Sequence, residues 1–325
     1  MCIGYSLYSL AMENGFSPCD MVPNVQHTYM VAGRPWTPRN ASRRRYGEMV
    51  TLKWGLAQSN NWISAYLMSK LNPQAFVTLL REYGINNPEI HPSMSLCLGP
   101  CDITVAEMVS AYTAFVNHGI RTAPLLVTRI EDNEGNVVAQ FRPRMNEVIS
   151  EESAHKMLYM LKAVIDGGTG GRLRYMYNIT GEVGGKTGTT NNHSDAWFMC
   201  VSPKLVCGVW VGGEYRCIHF RTGALEQGSR TALLVCGYFV QSVMGDPAFK
   251  EYHAKFDKPH DADISYGMYN CASYTPARRD TAAIDSTQVV GDMEDVVELD
   301  ENGNEIVREP SSATRPAGHN AAADT

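Results

Sequence analysis

The 325-residue sequence has no Cys-x-x-Cys pair, no excess of basic charge and no run of about 18 uninterrupted apolar residues. Each absence excludes something. Nine cysteines are present (Cys2, Cys19, Cys97, Cys101, Cys200, Cys207, Cys217, Cys236 and Cys271), but their odd number and irregular spacing spell neither a zinc knuckle nor a thioredoxin-type motif. Cys97 and Cys101 have no second pair or His-x-His nearby, so buried free thiols are the better reading than half a metal site. With 28 Lys and Arg against 34 Asp and Glu, the net charge is −6, which lacks the basic footprint of a nucleic-acid-binding domain. The missing apolar run argues against a transmembrane segment. The apolar start, Met1 to Met12, also lacks the basic n-region and small-residue cleavage site of a signal peptide.

What remains is ordinary globular composition, 44% apolar and 19% charged. The length allows one large domain or two smaller ones. Either can bury a sizeable core, so no disulfide or metal staple is required.

Helical and strand patterns alternate over residues 1–255. Asn72-Pro73 is an N-cap followed by proline at the first helical position, and Phe76, Leu79, Leu80 and Tyr83 share a face ahead of Gly84. Thr104-x-x-Glu107 is a capping box. Val105, Met108, Val109, Tyr112, Phe115 and Val116 form its apolar stripe, and Gly119 is the stop. Ser150 caps a helix with Glu151 and Glu152 in its first turn and Met157, Leu158, Leu161, Val164 and Ile165 on its buried face. A last helix begins near Ser229 and is expected to bury Leu233, Cys236, Phe239, Val240 and Val243. Leu125 to Ile130 and Val137 to Phe141 flank a turn at Asp132 to Asn136, and Trp197 to Val201 and Leu205 to Gly212 flank Ser202-Pro203-Lys204. Each reads as a hairpin. Antiparallel strands grouped between runs of helices give an α+β class, with an antiparallel β-sheet flanked by helices. From residue 256 apolar residues thin out. The stretch to residue 325 turns acidic and then rich in Pro, Ser and Ala, and is expected to be a disordered tail.

Chemistry concentrates in two segments. Gly185-Lys186-Thr187-Gly188-Thr189-Thr190 offers an ammonium, hydroxyls and a glycine that lets another backbone approach a strand edge. Such a set can hold the carboxylate of an extended peptide. Upstream, Ser59-Asn60-Asn61 forms a polar turn after a short helical stretch that begins near Thr51. Alone it is structural, and it gains weight from the lysine motif that follows.

Together these segments resemble two of the three signatures of the penicillin-recognising serine transferases, Ser-x-Asn and Lys-Thr-Gly. Further segments are similar to the transpeptidase domain of class A penicillin-binding proteins, in that family's order, from about residue 5 to about residue 245. They are Trp36 to Asn40, Thr51-Leu52, Ala57 to Asn61, Leu98-Gly99, Thr104 to Met108, Gly168-Thr169-Gly170, Asp195 to Phe198 and Gly208 to Gly212. The resemblance implies the fold of the penicillin-binding proteins and serine β-lactamases over residues 1–255. It also implies D,D-transpeptidase chemistry, in which a serine attacks the D-Ala-D-Ala amide of a peptidoglycan stem peptide and a neighbouring amine resolves the ester. Ser59 would relay protons, Asn61 would bind the substrate backbone, and Lys186, Thr187 and Thr189 would hold the terminal carboxylate. The N–H of Thr189, next to Gly188, would form half of an oxyanion hole. No cofactor or metal is implied. Stem peptides and β-lactams are the expected partners, with a cell-wall synthesis complex as a further one, at the periplasmic face of the cytoplasmic membrane.

The departure from the family lies at the start. The family's Ser-x-x-Lys precedes an apolar helix, here Tyr5 to Ala11 ahead of Glu13-Asn14-Gly15. Counting back, Met1 falls at the nucleophile's place and Gly4 at the lysine's. The expectation is a domain incomplete at its N-terminus, without nucleophile, preceding glycosyltransferase domain or membrane anchor, and inactive alone. Ser153-Ala154-His155-Lys156 has the right letters in the wrong order along the chain. It reads as a helix start with Glu152 and Lys156 paired. Two other functions remain open from the sequence: a D-Ala-D-Ala carboxypeptidase, and a non-catalytic module that binds stem peptides or a partner. Gly167 to Gly171 is expected to be a flexible helix end rather than a phosphate loop. His193 is read as a loop histidine, Arg43-Arg44-Arg45 as a solvated face, and the sequons at Asn40 and Asn178 are discounted.

Overall fold

The computed structural model describes residues 4–190, 194–215, 217–220, 227–257, 269–272, 274–275, 298–299 and 305–306. Its centre is a helix that is buried on every side. In α1 (Gly4–Glu13) every residue from Tyr5 to Met12 is buried, which only a helix surrounded by others tolerates. Tyr5 anchors it, with its ring 4.3 Å from that of Tyr112 and 5.6 Å from that of Phe115. Each such buried side chain contributes about 1.5–3 kcal/mol of transfer free energy.

Around α1 lie α2 (Leu52–Ala57), α3 (Asn61–Met68), α4 (Pro73–Glu82), α5 (Val105–Val116) and α6 (Glu151–Gly167). Their starts follow the cap signals. Asn72 accepts from the N–H of Gln74, Thr104 and Glu107 close the capping box, and Ser150 accepts from the N–H of Ser153. Small antiparallel ladders decorate this layer: β1 (Met21–Pro23) with β4 (Met49–Thr51), β2 (Tyr29–Val31) with β3 (Arg34–Trp36), and β5 (Ile120–Thr122) with β8 (Met145–Glu147). The hairpin expected near residue 132 is present as β6 (Arg129–Glu131) and β7 (Val137–Gln140), with Ile130 paired to Ala139. The N–H of Phe141 donates to the carbonyl of Thr128 at 2.8 Å, but Leu125 to Val127 do not extend the ladder. Leu126 is 96% exposed, so no core draws that segment into a ladder.

After a short helix α7 (Arg172–Tyr175), three strands form one antiparallel sheet. They are β9 (Gly184–Thr189), β10 (Asp195–Ser202) and β11 (Leu205–Gly212), in the order β11-β10-β9. Alternation along β10 divides the core. Met199 and Val201 join the cluster of α1, α5 and α6, whereas Phe198 and Cys200 join Leu233, Cys236 and Val240 of α8 (Ala232–Gly245). The sheet is thus covered by helices on both faces, as the α+β reading expects. Phe239 departs from that reading: it is 47% exposed, because α8 turns that side away from the sheet.

Residues 269–272 and 274–275 touch the domain. Cys19 and Cys271 form a disulfide, the hydroxyl of Tyr159 donates to the carbonyl of Tyr269, and that of Tyr274 donates to Asp20 Oδ1 at 3.0 Å. The cysteines are therefore not all free thiols. Cys97 is buried and Cys101 half-buried, neither in a disulfide. Farther along, Glu298–Leu299 pairs with Glu305–Ile306. Apart from these residues and from Phe256 and Asp257, the segment read as a tail lies outside the described residues, as does His193. No single helix among the described residues is long and apolar enough to cross a membrane.

Candidate active-site cleft

Ser59 owes its position to a reversal between two helices. Thr51 caps α2, its hydroxyl accepting from Trp54 N at 3.1 Å. After Ala57 the chain must fold back, and Ser59 takes φ +52°, the left-handed conformation that costs an L-residue free energy. Asn60 then caps α3. Its Oδ1 accepts from Trp62 N at 3.0 Å and Ile63 N at 3.1 Å, while its Nδ2 donates to Asn24 Oδ1 at 2.9 Å. Asn61 is held by its neighbours, with its N–H on Asn40 Oδ1 at 2.7 Å and its Nδ2 on the carbonyl of Arg39 at 2.6 Å. Asn40 is thus engaged in packing the turn, in keeping with discounting its sequon.

Lys186 arrives from the sheet. Strand β9 has β10 as its hydrogen-bonded neighbour, with Lys186 opposite Met199. Among the described residues its other edge carries no strand. The Lys186 side chain is 5% exposed. Its ammonium donates to the hydroxyl of Ser59 and to the carbonyl of Thr187, the latter at 2.7 Å. Ser59, Asn61 and Lys186 line one narrow cavity of about 20 Å³, together with Tyr8, Cys97 and Gly4. The sequence-predicted pair therefore meets in space, and Gly4 lines the same cavity. Burial pushes the thiol of Cys97 up to about 12, so it is a neutral, inert wall at ordinary pH.

The threonines are also in place. The hydroxyls of Thr187 and Thr169 lie 2.7 Å apart, and Thr189 Oγ1 accepts from the N–H of Gly228 at 3.1 Å. A hydroxyl that accepts still has its own proton to donate. Thr169 belongs to the Gly167–Gly171 stretch, and its N–H bonds the carbonyl of Ala57 at 3.1 Å. That stretch is a clamp between α6 and the end of α2, beyond a mere helix end. Gly168 shows why: a Cβ there would lie 2.3 Å from the Ala57 carbonyl. The sequence does contain Thr169, but nothing local marks its hydroxyl as a partner of Thr187.

The decoy Ser153-x-x-Lys156 sits elsewhere. Lys156 is buried on α6 with its ammonium 2.7 Å from Glu152, and neither residue lines the cleft. Arg43, Arg44 and Arg45 are exposed, and Arg45 pairs with Glu48.

Residues 5–205 match the family model of the penicillin-binding protein transpeptidase domain. This chain belongs to that family. Relatives bearing class A names agree: it is 34% identical over 201 residues to penicillin-binding protein 1A of Aquifex aeolicus, covering 62% of this chain and 26% of that one. To penicillin-binding protein 1B of Vibrio cholerae it is 35% identical over 183 residues, or 56% of this chain and 23% of that one. The chain thus spans about a quarter of the length of these curated relatives. Among solved structures, penicillin-binding protein 1A of Haemophilus influenzae superposes with a TM-score of 0.71 at 23% identity, over 79% of this chain and 43% of that one. PonA1 of Mycobacterium tuberculosis in complex with penicillin V gives 0.65 at 22%, over 79% and 71%. These likenesses establish the transpeptidase fold.

Proposed function

We propose that the cleft grips the acyl-D-alanine end of a peptidoglycan stem peptide, as part of the D,D-transpeptidase site of a class A penicillin-binding protein. The observation that carries this reading is the hydrogen bond from Lys186 to Ser59, across the junction of the sheet and the helical layer. A cation held against a hydroxyl lowers the cost of moving a proton through that hydroxyl, which suits Ser59 as relay toward a leaving amine. The edge of β9 that carries no strand among the described residues lets an extended peptide lie along Lys186 to Thr189 by strand addition. Thr187 and Thr189 then meet its carboxylate, Asn61 its amide backbone, and the N–H of Thr189 the carbonyl oxygen of the scissile bond.

In the transpeptidase reaction a serine hydroxyl attacks that carbonyl, the D-alanine amine leaves with a proton, and an ester remains until an acceptor amine displaces the serine. Penicillin imitates the same amide and forms the same ester. Gly4 lines the same cleft and offers no side chain to it. A peptidoglycan substrate places this work outside the cytoplasmic membrane, where a disulfide such as Cys19–Cys271 persists.

The test is binding of a diacylated Lys-D-Ala-D-Ala tripeptide, followed by calorimetry, beside its C-terminal amide and its L-Ala-L-Ala isomer. Preference for the free D,D-carboxylate is expected. Equal binding of all three peptides would overturn the reading.

A further inference from the structure

Away from the cleft, the end of α5 and the start of α6 bring together His118, Glu151 and His155. Among the described residues these form the one set of three potential ligand side chains whose donor atoms all lie within 4.8 Å of one another. We propose that they form a binding site for a divalent first-row transition cation of the zinc type, with Asp257 as the carboxylate that orients His118.

The geometry fits such an ion. Four-coordinate zinc with bonds near 2.0–2.1 Å needs ligand atoms about 3.3 Å apart. His118 Nδ1 lies 2.9 Å from Glu151 Oε1, and His155 Nε2 lies 3.6 Å from the same oxygen. Glu151 and His155 are one helical turn apart, so α6 presents both on one side, and His118 faces them from the turn after α5. The far nitrogen of His118, Nε2, is 3.7 Å from Asp257 Oδ2. A carboxylate on the second nitrogen of a ligating imidazole fixes its tautomer and raises its basicity, the usual outer support of a zinc histidine.

A second observation points to a ligand. Nε2 of His155 is buried and has no hydrogen-bond partner among the described residues. A buried ring nitrogen without a partner costs free energy unless something fills the place. A cavity of about 70 Å³ opens beside both imidazoles and has room for a water as a further ligand. The site ties α5, α6 and the segment around Asp257 together, so its role is to hold elements rather than to react. Sequence inspection missed it because Glu151 and His155 read as an ordinary helix start, and nothing local calls for His118.

The experiment titrates the chelator-treated chain with Co²⁺ and then Zn²⁺. One equivalent of Co²⁺ is expected to bind with the visible absorption of four- or five-coordinate nitrogen and oxygen ligation, to be displaced by Zn²⁺, and to raise Tm. The His118→Gln, His155→Gln double variant is expected to lose that absorption while keeping the far-ultraviolet dichroism of the metal-free chain. Asp257→Asn, at an exposed carboxylate, is expected to weaken binding about 10–100-fold. A measurement on the unmutated chain guards against a variant that does not fold: Zn²⁺ should protect His118 and His155 from diethylpyrocarbonate, read by mass spectrometry. Absence of stoichiometric binding, a thiolate-to-cobalt charge-transfer band from the cysteines, or equal modification of both histidines with and without Zn²⁺ overturns the proposal.

Discussion

The ammonium of Lys186 donates to the hydroxyl of Ser59 across 127 positions of sequence. Strand β9 delivers the lysine and the reversal between α2 and α3 delivers the serine, so this bond depends on the register of the sheet against the helices. Losing a hydrogen bond to a charged group costs on the order of 1.5–3 kcal/mol. Lys186→Ala is therefore expected to weaken calorimetric binding of the D-Ala-D-Ala tripeptide by roughly 10–100-fold.

For Ser59 the informative variant is glycine. Ser59 sits at φ +52°, where glycine is at ease and alanine is strained. Ser59→Gly deletes the hydroxyl and leaves the turn intact. Unfolding free energy from urea titration should stay within about 1 kcal/mol of the parent, while tripeptide affinity falls. Unchanged affinity would remove Ser59 from the site.

Much of this arrangement was legible because it is encoded locally. The caps at Asn72, Thr104 and Ser150 and the hairpin of β10 and β11 each rest on contacts within a few residues, and each appears where the sequence put it. Lys-Thr-Gly and Ser-Asn-Asn gained meaning only as a pair in a family's order, since separately each is a turn or a strand end. What escaped was non-local. Cys19 and Cys271 are 252 positions apart, and no count of cysteines reveals such a pairing. Phe239 has the letter of a core residue, but the angle at which α8 meets the sheet decides its exposure. The partners of Thr169 and of the Asn24–Asn60 amide pair likewise depend on where distant turns come to rest.

The clamp at Gly168 gives a paired test. A Cβ at Gly168 would meet the carbonyl oxygen of Ala57 at 2.3 Å, and that backbone cannot give way without moving the end of α2. Gly167 next to it has nothing within 4 Å of its added Cβ. Gly168→Ala should lower stability by about 1–3 kcal/mol and weaken tripeptide binding as Ser59 shifts. Gly167→Ala, in the last turn of α6, should leave both unchanged or slightly improve stability. Equal tolerance at the two positions, judged by urea midpoints, would mean that the loop does not hold the turn.

The disulfide predicts a local effect. Cys19–Cys271 ties the segment around Cys271 to the start of the domain, and such cross-links contribute about 2–4 kcal/mol, mainly by restricting the unfolded chain. Replacing both cysteines with serine should lower Tm and expose the chain around Tyr269 and Tyr274 to limited proteolysis. The hydrogen bonds of Tyr159 and Tyr274 remain but no longer have a covalent anchor. A cleavage pattern identical to that of the parent would show that those bonds suffice.

Acid should weaken the fold partly through Glu107. Burial raises its carboxyl pKa, but the backbone and side-chain hydrogen bonds from Thr104, the N–H of Asn86 and the charge of Arg121 outweigh burial and leave it below the ordinary glutamate value. The group is more acidic folded than unfolded, so the stability it adds is full above the unfolded pKa of about 4.3. It is lost as pH falls through the lower folded value. Glutamine fills the same capping-box position without titrating. Glu107→Gln should therefore unfold in urea with a shallower dependence on pH between about 3 and 5 than the parent, with the two curves converging at the acid end. An unaltered slope would mean that the capping box binds no more tightly to the carboxylate than to the acid, and that acid sensitivity arises at other carboxylates such as Glu182, which Lys162 and the N–H of Phe256 also hold low against the opposing effect of its burial.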